Sequence, residues 1–187
     1  MKKSVLFLGS SVTYGVGGIS FAEMMAEELG FECIKEAVSG TTLADRDASS
    51  YVSRLKKLDK NLRPELCICQ LSTNDAVLGV DIGLVEDAIR FIVKYARETF
   101  GCGVAFYTSP RFDCPAYEKM EELCLSLGRE LEFPVLDLWN DAGINGISNA
   151  ARARYMSDPV HPTLEGYREL WLPRFVRFYG EISGKIV

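Results

Sequence analysis

Histidine is almost missing from this chain of 187 residues, with His161 the single example. Cys-x-x-Cys pairs are absent too, so four zinc ligands cannot be gathered at the short paired spacings a structural site needs, and no metal is expected. Long apolar runs are lacking: Val5-Leu6-Phe7-Leu8 behind the basic start Met1-Lys2-Lys3 is too short for a secretory h-region, and nothing reaches membrane-spanning length. A soluble, cytoplasmic protein without membrane insertion is therefore expected. Positive charge is neither abundant nor clustered, and the net charge of −5 argues against a nucleic-acid partner or attraction to anionic lipid. The G-x-S-x-G elbow of α/β-hydrolases, the P-loop and the dinucleotide fingerprint are all missing, since Gly15-Val16-Gly17-Gly18 has the wrong spacing. No cofactor is expected.

Cysteine is present, at 33, 67, 69, 102, 114 and 124, an even number that would suggest disulfides in a small secreted chain. Their placement says otherwise. Cys67 and Cys69 alternate within the apolar run Leu66–Leu71 and Cys124 falls on an apolar helical stripe, where free thiols behave as small hydrophobes. A reduced compartment fits this pattern.

With 48% hydrophobic residues, the chain has the size and composition of one compact α/β domain spanning residues 1–187. Short apolar runs at Ser4–Leu8, Glu32–Ala37, Glu65–Leu71, Val104–Thr108 and Pro134–Leu138 read as strands covered on both faces. Between them, apolar residues at i, i+3, i+4 and i+7 mark helices around Phe21–Leu29, Tyr51–Leu62, Val85–Ala96 and Met120–Leu131. A last helix begins near Tyr167 and is bent or restarted at Pro173. Strands alternating with helices predict a three-layer α/β/α sandwich on a five-stranded parallel sheet of flavodoxin-like order, built from right-handed βαβ units. Ligands bind beyond the carboxyl ends of such strands.

Four polar groups fall in the loops at that edge: Ser11 in Gly9-Ser10-Ser11-Val12-Thr13-Tyr14-Gly15, Gly40 in Val38-Ser39-Gly40-Thr41, Asn74 in Ser72-Thr73-Asn74-Asp75, and His161 in Ser157-Asp158-Pro159-Val160-His161-Pro162. Serine ester hydrolysis needs a nucleophile, a base, an acid that orients the base, and donors where oxyanion charge develops. Ser11, His161 and Asp158 are candidates for the first three roles; the Ser11 and Gly40 N–H groups and the Asn74 amide are candidates for the fourth. Singly, each has a plainer account. Ser11 could cap the helix that follows, Gly40 could be a turn glycine, Asn74 with Asp75 could form an Asx turn, and Asp158 could start a turn before proline. Their joint occurrence in this order favours chemistry.

In this set the chain resembles the SGNH hydrolase superfamily, the GDSL-like lipases and esterases. The family's first block is matched by Gly9–Gly15 with its nucleophile at Ser11, its glycine block by Gly40, its G-x-N-D block by Ser72–Asp75, and its D-x-x-H-P block by Asp158–Pro162. The resemblance implies a Ser11–His161–Asp158 triad and an oxyanion hole from Ser11, Gly40 and Asn74. Two positions depart from the pattern. Ser10 stands where the family has an acid, and Ser72 where it has glycine; the first predicts a looser nucleophile loop, the second a turn carrying an extra Cβ.

The reading that follows is a serine esterase acting through an acyl-enzyme on a small-molecule ester, acetyl or short-chain. The alternatives are a lysophospholipase or thioesterase-like hydrolase of longer acyl chains, and a non-catalytic binding protein on the same fold. The longer loops Ser109–Tyr117 and Asn140–Ser157 are the expected pocket walls, with Phe112, Trp139, Tyr14 and Arg152 or Arg154 as lining candidates, Trp139 being equally compatible with the core.

Overall fold

A computed structural model describes residues 3–184. Its elements in chain order are β1 (Ser4–Gly9), α1 (Ser11–Tyr14), α2 (Phe21–Leu29), β2 (Glu32–Ala37), α3 (Tyr51–Lys57), β3 (Leu66–Gln70), α4 (Thr73–Val77) and α5 (Ile82–Tyr95). There follow β4 (Gly103–Tyr107), α6 (Pro115–Glu130), β5 (Val135–Leu136), α7 (Ala142–Asn145), α8 (Asn149–Tyr155), α9 (Leu164–Gly166) and α10 (Leu172–Ile182). All strand pairs are parallel, and the order β2-β1-β3-β4-β5 is the flavodoxin-like one expected from the sequence.

Side chains alternate across a strand, and here both faces are apolar. Leu6, Leu8, Cys67, Cys69, Val104 and Phe106 pack under α3, α5 and α6 on one side. Val5, Phe7, Ile68, Ala105 and Tyr107 pack under α2 and α10 on the other, where Phe21 stacks on Phe175 at 3.8 Å between ring centroids. Those two layers close the sandwich. Short polar side chains set the helix starts: Ser20 and Glu23 form a capping box on α2, and Ser50, Asp81 and Thr163 each accept an N–H of the turn they begin.

Several boundaries differ from the periodicity. The second helix stops at Lys57, because Asp59 takes the Asn61 N–H in a tight turn; Leu58 and Leu62 reach the core from that turn. β5 keeps two residues of the expected five, Val135 and Leu136, which pair with Phe106 and Tyr107 of β4. The helix after His161 passes Pro173 through a π-helical turn at Tyr167–Trp171, which absorbs the missing backbone donor and lets α10 restart. A second π turn, Ala96–Phe100, continues α5.

Candidate active site

The first block turns sharply at the end of β1. A Cβ on Gly9 would lie 1.8 Å from Thr13 Oγ1, so only glycine lets the chain fold back this closely. Ser10 is buried and faces the sheet: its N–H and hydroxyl, together with the Thr13 hydroxyl, converge on Gln70 Oε1 at 3.0, 3.4 and 2.9 Å. Thr13 Oγ1 in turn lies 2.7 Å from the Tyr107 hydroxyl. The loop that the missing acid at Ser10 was expected to loosen is thus pinned by an amide from β3. Ser11 begins α1, and its Oγ lies 2.7 Å from His161 Nε2. It is not the helix cap; Ser10 holds that position and makes no side-chain capping bond.

The loop carrying the histidine is braced across its mouth. Met156 and Pro162 form a β-bridge, and the His161 carbonyl accepts from Ser157 N–H and Oγ at 2.8 and 3.0 Å. Asp158 Oδ1 accepts the N–H groups of Val160 and His161 at 2.7 and 2.8 Å, while Oδ2 lies 2.7 Å from His161 Nδ1. The residue that shapes the turn is therefore also the one that contacts the imidazole. Desolvation is the largest single influence on this carboxyl and acts upward, but the two N–H donors and the imidazole together hold it below the usual carboxylate range. An ionised carboxylate only accepts, so the proton belongs on Nδ1 and Nε2 is left to accept from Ser11 Oγ–H.

Gly40 has φ +79°, the left-handed region, with nothing within 4 Å of where a Cβ would stand. Backbone conformation rather than crowding is why glycine occupies it. The loop beyond it is tied to the third block. Asn74 Nδ2 donates to the Thr41 carbonyl at 2.8 Å, and the Asp75 carboxylate accepts the N–H groups of Leu43 and Ala44 at 2.7 and 3.0 Å. Burial pushes the Asp75 carboxyl upward against those bonds. Ser72 has φ −72°, where a Cβ costs nothing, and its Oγ accepts the Asp75 N–H at 3.4 Å as the cap of α4. The turn that aims Asn74 therefore loses nothing by lacking glycine.

All the sequence-derived residues, Ser11, Gly40, Asn74, Asp158 and His161, lie beyond the carboxyl ends of β1, β2, β3 and β5. Hydrogen bonds join Ser11, His161 and Asp158 in one series and tie Asn74 to the Gly40 loop in another. Among the expected wall residues, Trp139 is a core side chain, 5% exposed, and Phe112 packs edge-on against it. Arg154 is engaged by Glu165 and Glu169. Tyr14 stays exposed, with the Lys35 ammonium 5.6 Å from its ring centre. The long loop expected at Asn140–Ser157 contains α7 and α8. Gln70, Thr41 and Arg54 escaped the sequence reading, though a polar residue ending an apolar strand (Gln70) and a charge on the apolar face of a helix (Arg54) were the available signals.

A buried acid on α6 lies near the same sheet edge. Glu121 is 3% exposed, and the Asn140 amide bridges it to Asp137 at 3.1 and 2.8 Å. Desolvation first, then Asp137, Glu122 and Glu118, push its carboxyl up to about 7 from 4.5. A raised folded-state value favours the protonated fold, so this contribution is whole below pH 4.5 and lost as pH rises through 7. Glu121→Gln is therefore expected to match the wild type at pH 5 and to melt about 2–4 °C higher at pH 8, the shift that ~1 kcal/mol gives a chain of this size. Solvent and the Arg111 guanidinium screen the remainder. Equal melting temperatures at pH 8 would contradict it.

Among the described residues, no group of three or more His, Cys, Asp or Glu side chains could hold a metal ion, and no helix is long and apolar enough to cross a membrane. A family model described as the GDSL-like lipase/acylhydrolase family matches residues 7–169. No curated protein sequence matches. Solved structures do. A lipolytic protein of the G-D-S-L family from Desulfitobacterium hafniense superposes with a TM-score of 0.74 at 20% identity, covering 94% of this chain and 99% of that one. A member of the same lipolytic family from Veillonella parvula gives 0.73 at 14% identity over 98% and 99% of the two chains. A family two carbohydrate esterase from Clostridium thermocellum, in complex with cellohexaose, gives 0.75 at 13% identity, covering 97% of this chain and 65% of that one. At these identities the likeness is one of fold.

Proposed function

The chain belongs to the GDSL-like lipase/acylhydrolase family, and from that premise we propose that it is a serine esterase hydrolysing a small acetyl or short-chain acyl ester through an acyl-enzyme. The observation that carries the proposal is the unbroken relay Ser11 Oγ–His161 Nε2 and His161 Nδ1–Asp158 Oδ2, each contact 2.7 Å. Ser11 Oγ attacks the ester carbonyl while His161 Nε2 takes its proton; Asp158 holds the tautomer and offsets the imidazolium charge. The tetrahedral oxyanion faces the Ser11 and Gly40 N–H groups and the second hydrogen of Asn74 Nδ2. Ser11 opens a helix, where an N–H has no intrahelical acceptor, and Gly40 N–H has no protein acceptor among the described residues. Collapse expels the alcohol, protonated by His161, and water repeats the sequence on the acyl-enzyme.

A fluorophosphonate probe is expected to add to Ser11 and not to Ser10, whose hydroxyl points at Gln70. Intact mass decides: labelling that survives Ser11→Ala but vanishes in Ser10→Ala would sink the assignment.

One observation favours a longer acyl chain. Val77, the last residue of the short helix α4, and Leu78, which caps it, stand three and four positions beyond Asn74 and are 69% and 59% exposed. Two apolar side chains held in water beside a candidate oxyanion donor could cover an alkyl chain. A p-nitrophenyl acetate, butyrate and octanoate series tests the two readings. kcat/KM highest on acetate supports the small ester, whereas a rise of about tenfold or more toward octanoate, abolished by Val77→Ser with Leu78→Ser, supports the longer chain.

A further inference from the structure

Arg54 is a cation almost wholly buried, 7% exposed, on the sheet-facing side of α3. Burial of a guanidinium is tolerated only when its donors are taken, and here every nitrogen is spent on a particular set of acceptors. Nε donates to the Ser49 carbonyl at 2.9 Å; Nη1 donates to the Glu36 carbonyl at 2.6 Å and to Glu36 Oε1 at 3.1 Å; Nη2 donates to the Gly9 carbonyl at 2.7 Å and to Thr41 Oγ1 at 3.3 Å. Gly9 ends β1, two residues before Ser11. Glu36 is the penultimate residue of β2, Thr41 follows Gly40, and Ser49 closes the loop ahead of α3. One planar fork therefore joins the strand that delivers Ser11 to both flanks of the irregular segment that carries Gly40.

Gly40 needs such an anchor. It is exposed, in the left-handed conformation, and nothing packs where its Cβ would be, so its position is set by its flanks. On the C-terminal flank Thr41 is buried; its hydroxyl meets Arg54 and donates to the Val38 carbonyl at 2.7 Å, and its carbonyl receives Asn74. The three candidate oxyanion donors are thus referenced to one guanidinium: Ser11 through Gly9, Gly40 through Thr41, and Asn74 through the other side of the Thr41 peptide.

We propose that Arg54 is a positioning residue for the oxyanion hole, fixing the Gly40 N–H relative to Ser11 and Asn74. The proposal rests on the esterase reading above. Lysine retains the charge but cannot reach carbonyls of two strands and a threonine hydroxyl from one planar head, so charge alone does not replace it. A displacement of about 1 Å in a donor to the transition state costs on the order of 10²-fold in rate with little effect on ground-state binding.

The experiment uses the full chain with p-nitrophenyl acetate, with folded fraction and melting temperature measured on each preparation and a fluorophosphonate titrating active Ser11. Arg54→Lys is expected to lower kcat per folded molecule by about 10–100-fold with KM within about threefold. In a double-mutant cycle its cost and that of Asn74→Ala should be less than additive, since both act on one oxyanion. Thr41→Val, which removes the hydroxyl while keeping the shape, should lower kcat in the same sense and decides the matter if Arg54→Lys does not fold. A folded Arg54→Lys or Thr41→Val with wild-type kcat overturns the role of Arg54 and leaves the esterase standing. A wild type that neither labels at Ser11 nor turns over any of the three esters overturns both.

Discussion

Replacing His161 by alanine is expected to lower kcat by about 10⁴-fold or more, the cost of removing a general base from a working Ser–His–acid set. No second imidazole can substitute, because the chain has no other histidine. Ser11→Ala should cost about as much, and the double variant little more than either single one, since the two groups act on one proton. Asp158→Asn should be milder than either: the Asp158 side chain is 48% exposed, so water can share in orienting the imidazole. The folded state is not at stake, as His161 touches Ser11 and Asp158 at the protein surface rather than the core. Measured kcat against p-nitrophenyl acetate with an unchanged melting temperature checks the expectation; a His161→Ala protein that keeps more than a small fraction of wild-type kcat would mean that another group is the base.

What could be read from sequence was whatever depends on period and local chemistry. Strands buried on both faces announce themselves as apolar runs, which holds for β1, β3 and β4 but not for the half-exposed edge strand β2, and five strands with helices between leave few right-handed arrangements, so the sheet order followed. That Asp158 and His161 would meet was legible because an Asp-x-x-His turn makes its own geometry, and Ser11 was picked out by its place at the end of β1 together with the other blocks; the structure brings the three into contact. Gln70 and Arg54 were not. Their polar groups work on partners 60 and 45 positions away, and periodicity shows which face a residue occupies but not whom it meets there. The contacts of Ser10 were out of view for the same reason, since their acceptor lies on β3. Phe112 shows the converse error: an aromatic residue in a loop at this sheet edge looked like a pocket wall, yet it packs with Trp139 over Tyr117, and of the two places open to Trp139 the core is the one it takes.

Asn74→Ala is expected to lower kcat by roughly 10²–10³-fold, about 3–4 kcal/mol, with KM for a small ester little changed, because the donor acts chiefly on charge that exists only in the transition state. The structure gives Asn74 a second task. One hydrogen of Nδ2 is committed to the Thr41 carbonyl, so the substitution also removes a bond that holds the loop of Gly40. That loss should cost about 1 kcal/mol of stability, or about 2–4 °C in a chain of this length, and it cannot by itself explain a large fall in turnover per folded molecule. The two tasks therefore separate by measurement. A variant slightly less stable and several hundredfold slower places Asn74 in the oxyanion hole, whereas one that is destabilised yet turns over near-normally, molecule for folded molecule, makes Asn74 a loop tie and leaves the oxyanion to the Ser11 and Gly40 N–H groups alone.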